Sequence, residues 1–155
     1  MSRLPHPLVP AVLALCALTA CAGVGTPAAG DAPTPTWPDS RWTVVALADD
    51  TGRLAEVRAG IAIDLAFDAA ATRVTGSAGC NRYSAPVTLE GRGLRFGAAA
   101  ASKRMCVDPG DVMAMEARFL RALGRVAVAA PEGARVALQD AEGGAVMLIA
   151  PAPAE

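Results

Sequence analysis

Gly76-Ser77-Ala78-Gly79-Cys80-Asn81-Arg82-Tyr83 is the stretch whose reading decides the fold. Two glycines three apart permit backbone conformations that residues with a Cβ enter only at a cost. A cysteine and an asparagine follow at once, then an aromatic ring with a polar tip. The run reads as a sharp turn leading out of one strand and into another. Short Arg73 to Ser77 supplies the incoming strand. On the far side, Val87 and Leu89, the turn Gly91-Arg92-Gly93, then Leu94 and Phe96 read as a hairpin.

Further out the pattern is mostly period two. Trp42 to Leu47 is a β-type segment, and Asp49-Asp50-Thr51-Gly52 is a turn. Ile61, Ile63, Leu65 and Phe67 alternate with Ala62, Asp64 and Ala66, which predicts a half-buried strand. Val126 to Ala129, Arg135 to Gln139 and Val146 to Ile149 are the last strands, with Glu142-Gly143-Gly144 turning between the final two. One helix breaks this rhythm. Asp108-Pro109 is predicted to open it, since an aspartate accepts from first-turn amides and proline suits the first helical position. Val112, Met115, Phe119 and Leu123, with Leu120 beside them, form its apolar stripe, and Gly124 ends it. Many short strands and one helix predict an α+β domain: a mainly antiparallel sheet of about six to eight strands packed with one α-helix.

The signature run resembles that of the META domain (the HslJ-like family), Gly-x-x-Gly-Cys-Asn-x-Tyr, at every fixed position. That family continues with a small residue and an aromatic, where this chain has Ser84-Ala85-Pro86-Val87. A second family element, a Thr/Ser-basic-Met-Cys run before a helix holding Glu, Phe and Leu, matches Ser102-Lys103-Arg104-Met105-Cys106, then Glu116, Phe119, Leu120 and Leu123. The resemblance spans roughly Arg41 to Ala150. It implies a fold and an envelope setting more than an activity, with stress and antibiotic-tolerance links in some members.

The N-terminus points to the same setting. Met1-Ser2-Arg3 is a short basic start, and Leu8 to Ala17 is an apolar run too short for a stable membrane span. Leu18-Thr19-Ala20-Cys21 resembles a bacterial lipobox, which implies cleavage before Cys21 and acylation of it; an ordinary signal peptide cut near Ala20 is the alternative reading. Residues 1–20 are thus expected to be a lipoprotein signal peptide, 21–38 an Ala/Gly/Pro tether, 39–150 the META-like domain and 151–155 a disordered tail. Cys16 leaves with the signal. Ala22, in place of an aspartate, favours the outer membrane over inner-membrane retention.

Composition narrows the chemistry. Hydrophobic residues make up 53% and aromatics only 4%, so the core is expected to rely on Val, Leu, Ile, Met and Ala. Loss of Arg3 from the 14 basic residues leaves 13 against 15 acidic ones, a net of −2. That balance gives no electrostatic ground for a nucleic-acid partner. The single histidine, His6, falls in the expected signal. A mature chain without histidine builds no Ser-His or Cys-His nucleophile pair and no histidine metal site. No cofactor, metal site or catalytic residue is expected.

In an oxidising envelope, Cys80 and Cys106 on the two motif segments suggest a disulfide, with two buried free thiols as the alternative. Gly76, Gly79, Asn81, Arg82, Tyr83, Arg104 and Met105 are the remaining candidate binding or motif residues. Asn81 and Tyr83 suit ligand contacts, or else Asn81 ties its amide to the turn backbone while Tyr83 packs its ring. Arg92, Arg95, Lys103 and Arg104 form a basic patch or a solvated face. Asp111 and Glu116, five apart, point to different sides of a helix. The functional expectation is a lipid-anchored envelope module facing the periplasm, non-enzymatic, that binds an envelope protein or a small apolar ligand. A structural, stress-protective lipoprotein or an enzyme of unknown class are the alternatives. Replacing Cys21 by Ala is expected to release the protein from the membrane fraction or leave it as uncleaved precursor. Equal palmitate incorporation into wild type and C21A would contradict the lipobox reading.

Overall fold

A computed structural model describes residues 35–153. The expected signal, Cys21 and most of the expected tether lie outside the described residues. Strand β1 (Arg41–Ala48) is followed by β2 (Leu54–Glu56), β3 (Asp64–Phe67), β4 (Arg73–Ser77), β5 (Arg82–Glu90), β6 (Gly93–Phe96) and β7 (Ala100–Ala101). Helix α1 (Val112–Leu123) comes next, then β8 (Val128–Glu132), β9 (Arg135–Gln139) and β10 (Ala145–Pro151).

All pairings are antiparallel, and the sheet closes on itself. Its order runs β1-β3-β4-β5-β6-β8-β9-β10, and β10 then pairs β1 along Trp42↔Pro151 to Leu47↔Met147. The result is a barrel in which β2 and β7 are short additions, β2 beside β3 on β1 and β7 beside β6 on β5. A register shift between Val44 and Ala46 marks a bulge, the usual device for bending a strand from one partner to another. The thinnest seam is β6–β8, with Gly93↔Val128 flanked by Leu94 N–H to Ala127 O and Ala129 N–H to Arg92 O, each 3.1 Å.

Inward-facing residues alternate along the strands, as Tyr83, Ala85 and Val87 do on β5. Every aromatic of the chain is buried: Trp37, Trp42, Phe67, Tyr83, Phe96 and Phe119. Trp37 stacks at 5.5 Å from Trp42 and 5.0 Å from Phe67, which in turn lies 6.2 Å from Phe96. The helix adds Val112, Phe119, Ala122 and Leu123 to the same core. Six large rings in one interior explain how so few aromatics suffice.

Several expectations need correction. Among the described residues there are ten strands, not six to eight, because β2 and β7 are too short to show a period. Of the predicted Ile61–Phe67 strand only Asp64–Phe67 forms; Ile61 and Ile63 are buried outside it, Ile63 bridging Ala78. The tether does not reach residue 38, since Trp37 is a core residue. Nor does the tail begin at 151: Pro151 ends β10, and Ala152 N–H donates to Arg41 O at 2.9 Å. The helix starts at Val112, four residues after Asp108. Residues 109–112 form a separate turn through Val112 N–H to Pro109 O, and Asp111 spends its carboxylate on Arg58 at 2.6 Å instead of capping. Phe119, fully buried, joins the helix to the barrel. Phe119→Ala is expected to cost about 3–5 kcal/mol in urea unfolding, and a loss near zero would mean that the helix is not part of the core.

Candidate functional site

The signature turn is Ala78–Asn81, between β4 and β5, closed by Ala78 N–H to Asn81 O at 2.7 Å. Its two glycines serve different needs. A Cβ on Gly76 would run into the carbonyl oxygen and carboxylate of Asp64, so this strand position has no room for one. Gly79 sits at φ +111°, where side chains are strained, and packs between Ile61 and Val112.

Asn81 is the centre. It is 2% exposed, and all four hydrogen-bonding capacities of its amide are filled. Its Nδ2 donates to Glu116 Oε1 (2.9 Å) and to Arg104 O (3.1 Å). Its Oδ1 accepts from Arg104 N–H (2.7 Å) and Ser102 Oγ (2.8 Å). The Asn81 backbone N–H completes the set by donating to Glu116 Oε2 at 2.8 Å. One side chain therefore joins the turn, the 102–104 segment and the helix. It does not fasten to its own turn, as one reading of the sequence expected.

Glu116 is buried on α1, and its two oxygens both face Asn81 donors. Charge-assisted hydrogen bonds replace the water it has lost. Sequence reading associated Glu116 with the second motif but not with Asn81. The signal was present: Val112, Glu116, Phe119 and Leu123, spaced four, three and four, put a carboxylate in the apolar stripe. Asp111, half-buried, places its carboxylate on Arg58 and takes no part in the Asn81 cluster.

The same two segments are joined covalently. Cys80 and Cys106 form a disulfide with Cα atoms 5.9 Å apart, so neither is a free thiol. Arg104 turns a guanidinium nitrogen onto Cys80 O at 2.8 Å, so it is no free member of a basic patch; Arg92 and Arg95 lie instead on the β5–β6 hairpin. Tyr83 sets its ring edge-on to Phe119 at 5.0 Å and donates its hydroxyl to Asp64 O at 3.0 Å. Arg82 points outward, contributing its carbonyl to Ser102 N–H. Met105 is 84% exposed and Val107 88%. Among the described residues, no three metal-ligating side chains come together.

A family model described as the META domain matches residues 36–153, spanning both motifs and every element of the barrel. The chain belongs to the META domain family. Two solved structures share the fold. An NMR structure of a protein from Burkholderia xenovorans superposes with a TM-score of 0.61 at 20% identity, covering 81% of this chain and 96% of that one. A second NMR structure gives 0.53 at 17% identity, covering 72% and 88%. At such identities the likeness concerns the fold alone. No curated protein matched the sequence.

Two outcomes follow for this META domain. The disulfide closes a loop of separation 26, worth roughly 3.5 kcal/mol in the chain-entropy picture. Reduction is expected to cost about 3 kcal/mol and lower the melting midpoint by several degrees. Two free thiols per chain, titrated in denatured, never-reduced protein, would refute the bond. Burial, and secondarily the Asp64 charge, raises the Tyr83 phenol well above its ordinary value. The folded state then holds this proton more tightly than the unfolded chain does. That stability is fully present below about pH 10 and is lost as pH rises beyond it. Tyr83→Phe is expected to flatten the alkaline fall of urea midpoints, and an unchanged slope would contradict the assignment.

Proposed function

We propose that this META-domain chain is an envelope lipoprotein, anchored by acyl groups on Cys21 at the outer membrane and facing the periplasm. The domain acts there without catalysis, as a binding or assembly module for another envelope protein. One observation carries the reading. The loop holding Met105 and Val107 is fastened at its base by the disulfide and by Asn81, while its two large apolar side chains project into solvent. Ordering a loop and then exposing apolar side chains costs free energy that a bound partner would recover. An envelope protein is preferred over a small apolar ligand because these side chains are almost fully exposed. The stress and drug-tolerance associations expected from the family belong to the same proposal.

A structural, stress-protective lipoprotein is the second reading, favoured by the closed barrel, whose interior is filled by side chains. In-cell photo-crosslinking separates the two. A photoreactive residue at Met105 is expected to give a discrete protein adduct, while one at exposed Thr88 on β5 gives none. Absent or equal adducts at both positions would favour the structural reading.

A further inference from the structure

A separate depression of about 400 Å³ lies between the β1–β2 turn and the last turns of α1. Its walls are Asp49, Asp50 and Thr51 on one side and Arg118, Arg121 and Arg125 on the other. Residues 118 and 121 are three apart and so share a helix face, and Arg125 follows just past the helix end. Three arginines on one wall stand out in a chain whose formal charge is −1.

Two of these arginines are not consumed by the fold. Among the described residues neither Arg118 nor Arg121 forms an ion pair, and Arg125 places one nitrogen on Asp140 at 2.6 Å. The Nε of Arg118 is buried and has no hydrogen-bond partner. A buried N–H of a charged group without an acceptor is costly, which is why such atoms nearly always have one. Complementing the helix dipole accounts for a cation in the last turn, but not for an orphaned Nε one turn earlier. The facing acids do not fill the gap. Asp49 is committed to Thr51 N–H (2.9 Å), the Thr51 hydroxyl and Arg53 N–H (3.1 Å). Asp50 is exposed at the opposite wall.

We propose that Arg118, Arg121 and Arg125 form a binding site for a phosphoryl group. The planar guanidinium fork matches phosphate oxygens in pairs. Such a group comes either from a soluble phosphate ester or from a lipid headgroup, and the two sources are separable. The site is independent of the Met105 loop and of any partner docked there.

The test uses the whole chain carrying Cys21→Ser, so that no acyl chain drives membrane binding. Pyrophosphate is titrated while the arginine Nε–Hε resonances are followed by NMR, and co-sedimentation is measured with phosphatidylglycerol and with phosphatidylcholine vesicles. The Arg118 resonance is expected to move with one of the two anionic probes. The R118Q/R121Q pair is expected to weaken that binding by about tenfold or more, R92Q/R95Q on the distant hairpin to leave it unchanged, and Asp50→Asn to tighten it. Pyrophosphate binding alone assigns a soluble ligand. Retention on phosphatidylglycerol but not phosphatidylcholine, lost in R118Q/R121Q, assigns a headgroup. Should the double variant fail to fold, exposed Arg121→Gln and Asp50→Asn, with opposite expected signs, carry the same test. A motionless Arg118 resonance with both probes, or equal weakening by R92Q/R95Q, would overturn the site.

Discussion

A fully satisfied asparagine side chain holds the signature turn, the 102–104 segment and the helix together. The amide of Asn81 has two donors and two acceptor positions, and each is matched by a group of the opposite kind. This complementarity fixes the residue type. Aspartate in its place would set an acceptor against Glu116 and against Arg104 O, and alanine would orphan all four partners. It also fixes the amide's orientation, because reversing it would set NH2 against the Arg104 N–H. Hydrogen bonds to charged groups are worth about 1.5–3 kcal/mol net, and two of them meet on the Glu116 carboxylate. Their loss would be concerted, since moving Asn81 uncovers the buried Glu116 carboxylate at the same moment.

The barrel gives that cluster a stiff frame. Closing β10 onto β1 removes the long outer edge of the sheet; the unpaired backbone that stays is on β2 and β7, of three and two residues, and along the β6–β8 seam. Closure also brings the two ends of the domain side by side, so the segment at Trp37 can cover the Trp42 and Phe67 rings. The β6–β8 seam is different, with one register pair where β1–β10 has five. Chain connectivity offers a reason. The β7 strand and α1 both intervene between β6 and β8, and their packing directs where β8 can start. If the barrel breathes anywhere, backbone pairing is thinnest at this seam.

What the sequence disclosed follows from which forces are local. The signature turn, the helix stripe from Val112 to Leu123, the Gly91–Gly93 turn and the alternation before Phe67 are all encoded within a few residues of themselves, and all were legible. Barrel closure was not, because the pairing of Trp42 with Pro151 joins segments over a hundred positions apart and leaves no period. Trp37 was misread for a related reason. Its neighbours are Ala, Thr and Pro, so local composition says tether, while its burial comes from rings far along the chain. Glu116 shows the opposite failure. Its spacing from Val112 and Phe119 could have placed it in the apolar stripe, but a carboxylate there makes sense only once Asn81 is known to face it. The helix start slipped because Asp108-Pro109 carries a strong local signal that the 109–112 turn and the Arg58–Asp111 pair override.

The segment from Ser102 to Cys106 is held twice, by means that respond to different conditions. The disulfide depends on the redox state of the surroundings, whereas the Asn81 bonds do not. The covalent link acts on the unfolded chain, by restricting it, while the hydrogen bonds act on the folded one. Cys80 and Asn81 are adjacent, so both fastenings pull on the same turn, and Gly79 at φ +111° lets that turn aim them at one target. Double fastening places rigidity at the base of the loop, close to where Met105 begins to project. A loop that served only to cover the core would be expected to turn its largest apolar side chains inward. Here Cys106, between two exposed apolar residues, is the one drawn in. The alternation out, in, out is that of a segment pinned at its middle with its flanks left available.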